Sequence, residues 1–353
     1  MSSYNVIGTM SGTSLDGLDI TYCSFDFLDN KWAFKINSGA TINFPNNIKE
    51  KLVNAINMNG IELMETHNLF GDFIGKEIVN FIQKNNLNNI NFISSHGHTI
   101  FHQPENNLTT QIGNGANISA ITKLPVICDF RTTDIALGGQ GAPLVPIGDS
   151  LLFSEYDFCI NLGGIANISF QKENKRIAYD VCPVNIVLNN LSQKLGKPYD
   201  KNGAIAQTGK IDTNLLKLLN ELSYYTILAP KSLGLEWIES EIFPLIDLST
   251  ASLEDKLSTF VEHVAIQISN SINAEQKTVL ISGGGTFNSY LIERIKANTN
   301  NKIILPSKEI IEFKEAIIFA FLGILRLRKE ANCLQSVTGA TQDNIGGCIY
   351  QAF

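Results

Sequence analysis

The stretch that decides the fold reads GTMSGTSLDG over residues 8–17, and it begins within the short apolar segment Tyr4–Met10 and breaks it from Ser11 onward. Glycines and hydroxyl side chains placed after an apolar segment mark a turn between two strands. A second apolar run, Leu18–Phe27, and a third, Trp32–Phe44, follow this turn. Three short strands separated by turn residues predict an antiparallel meander.

The same order of elements recurs in the second half of the chain. In the first half, the meander precedes two helical patterns and then alternating short strands and a helix: Asn46–Met58, Glu62–Lys84, Phe92–Ser95, Ala116–Thr122 and Val126–Cys128. In the second half, NLGGIANIS (161–169) supplies the turn of another meander, and SGGGTFN (282–288) ends a further strand, Val279–Ser282. Helical patterns follow both, at Val184–Leu195, Asn214–Leu222, Asp255–Ile272, Phe287–Ala297 and Phe313–Arg328. The repetition predicts an α/β protein made of a duplicated unit, with a cleft between the copies.

Composition limits the classes of partner. The chain has 353 residues, of which 44% are hydrophobic and 17% are charged, which suits a packed core. Its formal net charge of −7 argues against a nucleic acid as the main partner, because such binding depends on basic surfaces. There is no run of about 18 apolar residues that would span a membrane, and the first residues do not resemble a secretory signal.

Cysteine and histidine usage points away from a metal site. The six cysteines are scattered and none forms a C-x-x-C pair, so we expect buried, reduced thiols and a cytoplasmic location. His96, His98 and His102 alternate like residues on one strand. No further ligand type lies at a suitable spacing beside them, so the sequence does not predict a zinc site.

Three glycine-containing turns predict a nucleotide site. Glycine lets backbone N–H groups approach an anion closely, and a turn that enters a helix adds the positive end of that helix. The alternative is that these glycines only make turns possible, but their recurrence at matching places in the two halves favours binding. The predicted nucleotide-binding residues are Gly8, Ser11, Gly12, Thr13, Ser14, Asp16, Gly17, Asn161, Gly163, Gly164, Asn167, Gly283, Gly284, Gly285 and Asn288.

The better-known motifs for nucleotides and for hydrolysis are absent. GAIAQTGK (203–210) has one residue too many between its glycines for a P-loop, and Gly139-Gln140-Gly141 lacks the third glycine of a dinucleotide fingerprint. No G-x-S-x-G segment occurs. These absences exclude the common P-loop, dinucleotide and serine-hydrolase assignments.

A charged cluster follows the strand Val126–Cys128. Asp129, Arg131 and Asp134 stand there, directly before the glycine-rich loop GGQGAPLVP (138–146). Charged groups at the carboxyl end of a strand suit a polar ligand. The alternative is that Arg131 only forms an ion pair with one of the two aspartates.

Five segments together resemble the 1,6-anhydro-N-acetylmuramic acid kinase family, and they occur in order along nearly the whole chain. They are MSGTSLDGLD (10–19), SSHGHTIFHQP (94–104), DFRTTDIALGGQGAPLVP (129–146), NLGGIANIS (161–169) and SGGGTFN (282–288). The resemblance implies two actin-like ATPase domains of the ribonuclease H-like type with a central cleft. The first lobe would comprise residues 1–147 and 333–353, with the first phosphate turn and part of the sugar site. The second lobe would be residues 148–332, with the second phosphate turn, the catalytic aspartate and the nucleoside site.

The resemblance also implies an activity. It predicts an ATP- and Mg²⁺-dependent kinase that opens the anhydro ring and phosphorylates O6, giving N-acetylmuramic acid 6-phosphate in murein recycling. The partner would be a small amino sugar, and a homodimer is possible. The alternatives are a nucleotide-binding sensor or scaffold of the same superfamily, or a kinase for another sugar.

By resemblance, Asp180 of YDVCPVN (179–185) is the catalytic base. The alternative for Asp180 is an N-cap of the helix that follows. The implied sugar-binding residues are His96, Asp129, Arg131, Gln140, Asn185 and Glu315, and Asp16 would hold Mg²⁺ through water. His96 could instead be structural, Asp16 a turn former, and Glu315 a first-turn partner of its helix dipole.

Four positions depart from the usual family pattern. Cys182 and Val184 stand where the family usually has glycine, Asn189 stands for an aspartate, and Leu235 stands for an arginine. These departures concern the sugar half of the prediction, whereas the phosphate and nucleoside turns keep the family pattern.

Overall fold

The computed structural model describes residues 2–12 and 15–352. Contacts divide the chain into two compact units: a first unit of Met1–Leu152 with Phe313–Phe353, and a second unit of Phe153–Glu312. The sequence placed the lobe borders after residues 147 and 332, so residues 148–152 and 313–332 are found in the first unit instead of the second. The physical reason is that the helix in this region packs on strands of the first unit. The functional roles predicted for the lobes stay predictions.

The first unit begins with the predicted meander. Its elements up to residue 152 are β1 (Ser2–Ser11), β2 (Leu18–Leu28), β3 (Lys31–Ile42), α1 (Asn46–Asn54), α2 (Gly60–Lys84), β4 (Phe92–Gln103), β5 (Leu108–Ile112), α3 (Gly115–Thr122), β6 (Val126–Cys128), α4 (Thr132–Ala136) and α5 (Val145–Leu152). The expected helix Asn46–Met58 is shorter, because a 3₁₀ turn at Ala55–Asn57 follows α1. A capping box starts α2: the Asn59 side chain accepts from the Glu62 N–H, and the Glu62 side chain accepts from the Asn59 N–H.

The second unit repeats the pattern. Its elements are β7 (Phe158–Leu162), β8 (Ile165–Lys172), β9 (Lys175–Pro183), α6 (Asn185–Lys194), α7 (Thr213–Asn220), α8 (Leu235–Trp237), α9 (Phe243–Leu248), α10 (Leu253–Ser271), β10 (Thr278–Ser282), α11 (Ser289–Ala297) and β11 (Lys302–Ile304). α12 (Lys308–Arg328) then leads back into the first unit, where α13 (Gln335–Thr338) and β12 (Cys348–Tyr350) follow.

The two sheets share one topology within the described residues. The strand order is β12-β6-β4-β1-β2-β3 in the first unit, with β5 beside β4, and β11-β10-β7-β8-β9 in the second. In each, a three-stranded antiparallel meander is extended by two parallel strands on the side of its first strand. This is the ribonuclease H-like arrangement of actin-like domains, so the predicted α/β fold with duplicated units is confirmed.

Each unit has its own hydrophobic core. In the first unit, Ile7, Ile20 and Ile93 of the sheet pack against Phe70 and Ile74 of α2. In the second, the sheet and α10 form a larger cluster that includes Ile160, Leu162, Ile281, Phe260 and Val264. Burial of these side chains is the main source of stability for both units.

Helix α12 packs against the first sheet at very short range. A Cβ built on Gly8 of β1 would stand 2.1 Å from the Ala316 carbonyl oxygen, and one on Gly323 would stand 2.7 Å from Ser94 Oγ. A buried ion pair, with Lys314 Nζ 2.7 Å from Asp149 Oδ1, joins α12 to α5. These contacts account for the position of α12 in the first unit.

The cysteines are free thiols, as expected, but not all of them are buried. Cys348 is exposed and Cys128 is half-buried, whereas Cys23, Cys159, Cys182 and Cys333 are buried. The difference arises because Cys348 lies on the edge strand β12. Among the described residues, no helix is long and apolar enough to cross a membrane.

Candidate active site

Asp180 lies on the edge strand β9, three residues before its end. The Leu233 N–H donates to its Oδ2 at 2.9 Å, and the Tyr224 hydroxyl donates to its backbone carbonyl at 2.6 Å. Burial raises the pKa of the Asp180 carboxyl group, and the Leu233 N–H opposes that rise. Within the described part of the chain, Oδ1 accepts no hydrogen bond. The side chain is therefore oriented by one oxygen and leaves the other for a reacting group.

Asp180 does not cap the following helix, so that alternative is wrong. Val184 is the N-cap of α6, with no side-chain capping bond. The helix N-terminus instead faces the predicted second turn: Val184 N–H donates to the Gly164 carbonyl at 2.8 Å, and Asn185 N–H donates to the Gly163 carbonyl at 3.3 Å. Asn185 Nδ2 also donates to the Leu162 carbonyl.

A row of polar side chains crosses the second sheet. The register pairs Asn161 of β7 with Asn167 of β8, and Asn167 with Asp180 of β9. Residues directly opposite on antiparallel strands project from the same face. Three predicted site residues from two different motifs are thereby brought together.

The third glycine turn packs against the end of β7, at Asn161 and Leu162. Gly283 has a φ of +86°, and a Cβ on it would stand 2.4 Å from Asn161 Oδ1. A Cβ on Gly285 would stand 2.7 Å from Leu162 Cβ, whereas Gly284 has open space around it. Asn288 is the N-cap of α11, where its side chain accepts from the Leu291 N–H. Gly283 and Gly285 thus permit close packing of two turns, and Gly284 borders open space.

A cleft of about 370 Å³, which we call the Gly284 cleft, lies beside this turn within the second unit. It is lined by Asn185, Leu188, Asn189, Tyr199, Asp200, Lys201, Asn202, Gly284, Gly285, Phe287 and Asn288. Tyr199 and Phe287 keep 55% and 45% of their surface exposed, so two aromatic faces are available to a ligand. Three of its lining glycine-turn residues, Gly284, Gly285 and Asn288, were predicted from the sequence. Phe287 stands in the same motif but was missed because the prediction considered only its glycine and asparagine residues, and Tyr199 was missed because it lies in no recognisable motif.

The first glycine turn is only partly described, because Thr13 and Ser14 lie outside the described residues. Ser11, at the end of β1, is buried, and its Oγ lies 2.8 Å from His98 Nδ1. Gly17 packs on β3, where a Cβ would stand 2.7 Å from the Ile42 carbonyl oxygen. Gly12 accepts from the Leu15 N–H at 3.1 Å, and Asp16 is exposed in the turn. Gly8 lies inside β1 rather than in the turn, and its small size serves the contact with α12.

The cationic part of the first unit is centred on Arg131. Its Nε donates to His96 Nε2 at 3.0 Å, and its Nη1 donates to the Gly141 carbonyl at 2.7 Å. The expected alternative, an ion pair with Asp129 or Asp134, is wrong. Burial lowers the pKa of Arg131, and the negative charge of Glu315 opposes that change. Among the described residues, Nη2 donates no hydrogen bond.

His96 is a neutral acceptor for that arginine. Its Nε2 accepts from Arg131, so the ring proton lies on Nδ1, which donates to the Gly97 carbonyl at 3.0 Å. Burial, followed by the positive charge of Arg131, holds the pKa of His96 well below its ordinary value. His96 therefore orients Arg131 by its unprotonated nitrogen.

Glu315 lies in the third turn of α12, because the helix begins at Lys308, so its alternative role as a first-turn dipole partner is wrong. Its side chain reaches solvent. The surrounding protein removes water from the Glu315 carboxylate and thereby raises its pKa, and the positive charges of Arg131 and Lys314 oppose that rise. Glu315 and Arg131 thus interact electrostatically, since each affects the pKa of the other.

The two aspartates of the charged cluster serve different purposes. Asp134 is fully buried and accepts from the Gly141 N–H, the Thr338 hydroxyl and Asn344 Nδ2. It anchors the GGQG loop to the C-terminal segment. Asp129 has a φ of +61° and accepts from the Thr132 hydroxyl. Gln140 is exposed on the loop, where its N–H donates to the Thr338 carbonyl at 2.8 Å.

Comparison with known proteins identifies the family. The model of the anhydro-N-acetylmuramic acid kinase family matches residues 4–352. The chain belongs to this family. A kinase of this name from Sulfurimonas denitrificans is 34% identical, over 98% of this chain and 99% of its own length. Another from Sulfurovum sp. is 32% identical, over 99% of this chain and 100% of its own. The family predicted from the motifs is confirmed, and with it the protein class, a sugar kinase.

Among solved structures, an activator of 2-hydroxyisocaproyl-CoA dehydratase from Clostridium difficile with bound ADPNP is similar, with a TM-score of 0.44 and 14% identity. The match covers 92% of this chain and 97% of that one. At that level of likeness, nothing about this chain follows from it.

The positions where this anhydro-N-acetylmuramic acid kinase family member departs from the usual pattern have different surroundings. Cys182 and Val184 both have 0% exposure and belong to the core of the second unit. Leu235 is 49% exposed, and Asn189 lines the Gly284 cleft. The side chains that replace the two glycines are therefore packed in the core.

Proposed function

We propose that this protein transfers the γ-phosphoryl group of ATP to 1,6-anhydro-N-acetylmuramic acid while water opens the anhydro ring, yielding N-acetylmuramic acid 6-phosphate. The observation that carries the proposal is the geometry of Asp180 in a chain that belongs to this kinase family. Its carboxylate is oriented by the Leu233 N–H and keeps one oxygen available. That is the arrangement a general base for water requires.

The chemistry assigns one proton to Asp180. Water attacks the anomeric carbon, the bond from that carbon to O6 breaks, and O6 forms a bond to the γ-phosphorus as ADP leaves. The water proton goes to Asp180, whose raised pKa makes it a stronger base than an ordinary aspartate. Asn161 and Asn167, in the same row, are proposed to donate hydrogen bonds to the phosphate chain.

The sugar is assigned to the charged groups of the first unit. Arg131 keeps Nη2 for a ligand oxygen while His96 and Gly141 fix its other two nitrogens. Glu315, beside it, can accept from a sugar hydroxyl. Asp129 and Gln140 of the same unit, and Asn185 of the second unit, complete the proposed set.

The nucleoside is assigned to the Gly284 cleft. A purine is flat and apolar on its faces, and the exposed rings of Tyr199 and Phe287 offer matching surfaces. Asn189, Asn202 and Asn288, which line the cleft, supply hydrogen-bond donors and acceptors for the ribose and the base edge. The glycine turns beside it allow backbone N–H groups to reach phosphate oxygens.

Asp16 fits a water-mediated Mg²⁺ ligand. Mg²⁺ in kinases keeps several waters and is held by one or two carboxylates together with the phosphates of ATP. Asp16 is exposed in the first turn, where it is accessible to such waters. When bound, the ion would neutralise charge that develops on the transferred phosphoryl group.

Sugar-dependent formation of ADP tests the proposal. The protein is mixed with ATP, Mg²⁺ and 1,6-anhydro-N-acetylmuramic acid, and ADP and the 6-phosphate are measured. ADP that appears only with this sugar supports the proposal. ADP formed only with another hexose, or bound ATP that is never consumed, would contradict it.

The variant Asp180→Asn tests the base. We expect kcat to fall by at least ~100-fold, the lower end of what general-base catalysis contributes, while ATP binding stays nearly unchanged. The matched control is Asp247→Asn, because Asp247 is an exposed residue that forms a surface ion pair with Lys194. Wild-type turnover in Asp180→Asn would remove the assignment.

We also expect a cytoplasmic location, since the proposed reaction uses ATP. A homodimer remains a prediction, and light scattering in solution would test it.

A further inference from the structure

Two cysteines lie directly opposite each other on neighbouring antiparallel strands of the first unit. Strand β12 pairs with β6, and the register places Cys348 opposite Cys128. The Cβ atoms of opposite residues in such a pair are about 4.5–5.5 Å apart, and their side chains share one face. A disulfide needs Cα atoms about 4.4–6.8 Å apart, which opposite residues provide. Both residues are free thiols in the structure.

The surroundings of the thiols agree with a shared face. A Cβ built on Gly115 of α3 would stand 2.6 Å from Cys128 Sγ and 2.7 Å from the ring of Tyr350, which lies two residues after Cys348. Helix α3 therefore packs on this face at Cys128 and Tyr350, whereas Cys348 stays exposed. Cys348 donates a weak hydrogen bond to Asp129 Oδ2 at 3.7 Å.

We propose that Cys128 and Cys348 form a reversible disulfide on reaction with a low-molecular-weight disulfide such as oxidised glutathione. Cys348 is exposed and reacts first: its thiolate attacks one glutathione sulfur, a mixed disulfide forms and one glutathione thiolate leaves. Cys128 then attacks Cys348 Sγ and displaces the second glutathione. The two protein thiols are oxidised, the small disulfide is reduced to two thiols, and the two protein protons pass to the departing thiolates.

The local electrostatics set the conditions under which this exchange occurs. Burial, followed by the negative charge of Asp129, raises the pKa of Cys128 to about 12, and the same two causes raise the pKa of Cys348. Because the thiolate is the nucleophile, the reaction is slow at neutral pH and accelerates as the pH rises. Tyr350 and Arg326 also face this pair, and the positive charge of Arg326 favours the Cys348 thiolate.

The disulfide would change the segment that carries the charged groups. It would remove the thiol donor from Asp129 and tie the C-terminal strand covalently to β6, which leads into Asp129 and Arg131. The inference rests on the strand register and does not depend on the proposed function.

Mass spectrometry of the full-length protein after incubation with oxidised glutathione tests the proposal. At pH 8.5 we expect a product lighter than the reduced protein by two hydrogens, with peptide mapping that joins the peptides containing residues 128 and 348. Dithiothreitol should restore the original mass. Wild-type protein that keeps a glutathione on Cys348, or that forms a disulfide with any other cysteine, would overturn the proposal.

Two variants separate the steps. Cys128→Ser should accumulate the mixed disulfide at Cys348, because the resolving thiol is missing. Cys348→Ser, at an exposed position, should form neither product in the same time. Cys333→Ser is the matched control and should form the same disulfide as the wild type, with folding of each variant checked by circular dichroism. An internal disulfide in Cys348→Ser would contradict the assignment.

Discussion

Asp180 is oriented through a single carboxylate oxygen, which leaves its protonation state sensitive to burial. The donor that holds it, the Leu233 N–H, comes from a loop 53 residues further along the chain. The Tyr224 hydroxyl fixes the backbone of the same residue. At the scale of the residue, the Leu233 N–H positions the carboxylate and lowers its pKa, whereas burial raises that pKa.

The proposed role of Asp180 as a base predicts an acid limb in the pH profile of kcat/KM. A base must be unprotonated to accept a proton, so kcat/KM should fall as the pH drops through the pKa of Asp180 in the free enzyme. Because burial raises that pKa, the limb should lie above the ordinary value for aspartate of about 3.9. Initial rates of ADP formation between pH 4 and 8 measure it. A limb at or below the ordinary value would contradict this prediction.

Single residues also show where sequence reasoning stops. The motif around Asp180 identified the residue, but its donor could not be predicted because the two are distant in sequence. Asp134 stood in the same charged cluster as Arg131, yet it is buried and holds Thr338 and Asn344, more than 200 positions away. A carboxylate that binds a ligand and one that anchors a loop can be surrounded by the same types of residue in the sequence. Contacts between distant segments decide between them.

At the scale of elements, the position of α12 depends on two glycines, Gly8 and Gly323. Gly8 allows the helix backbone to approach β1, since a Cβ there would stand 2.1 Å from the Ala316 carbonyl oxygen. Gly323 does the same beside Ser94 on β4. The helix that carries Glu315 is therefore positioned by these close contacts.

The variant Gly8→Ala should be strongly destabilising. Its methyl group would collide with backbone atoms that cannot move without shifting α12, and overpacking of this kind costs about 1–3 kcal/mol or more. The matched control is Gly60→Ala at the start of α2, where a Cβ meets no atom within 4 Å. The free energy of unfolding in urea measures both. Equal stability of the two variants would show that α12 does not depend on this contact.

The buried ion pair between α5 and α12 gives a second prediction for an element. Replacing Lys314 by Met removes the ammonium group 2.7 Å from the Asp149 carboxylate and leaves that buried charge without its counter-ion. Breaking one side of such a pair costs about 3–5 kcal/mol. The double variant Asp149→Leu with Lys314→Met should recover part of this loss. Urea midpoints of the three proteins test the order, and a double variant less stable than the single one would contradict it.

Elements with a strong local signal were the ones that could be predicted. The two meanders and the long helices α2, α10 and α12 have clear hydrophobic periodicity. β5, β12 and α5 were missed: β5 and β12 are short, and α5 contains two residues that disfavour a helix, Pro146 and Gly148. Short edge elements form because a neighbouring strand or helix is present, so their own sequence carries little information.

At the scale of the whole molecule, each unit has its own core and its own tryptophan. Trp32 lies in the first unit beside Phe27 and Phe321, and Trp237 lies in the second beside Tyr224 and Tyr225. The chain has two tryptophans in all. Single-tryptophan variants can therefore follow the unfolding of each unit separately.

This arrangement predicts a selective effect of the nucleoside. If the Gly284 cleft binds the base and ribose, adenosine monophosphate should stabilise the second unit, by about 2.7 kcal/mol at a hundred times its Kd. In the Trp32→Phe variant, which retains Trp237, the unfolding transition should shift upward. In the Trp237→Phe variant, it should shift less. Equal shifts in both variants would contradict a site confined to the second unit.

The division of the chain has a consequence for its synthesis. The first unit is discontinuous: its sheet is begun by residues that leave the ribosome first and is covered by α12, which leaves near the end. The second unit is one continuous stretch, Phe153–Glu312. During translation, the second unit can therefore fold before α12 is available to pack on the strands of the first unit. Folding of the first unit is then completed after that of the second.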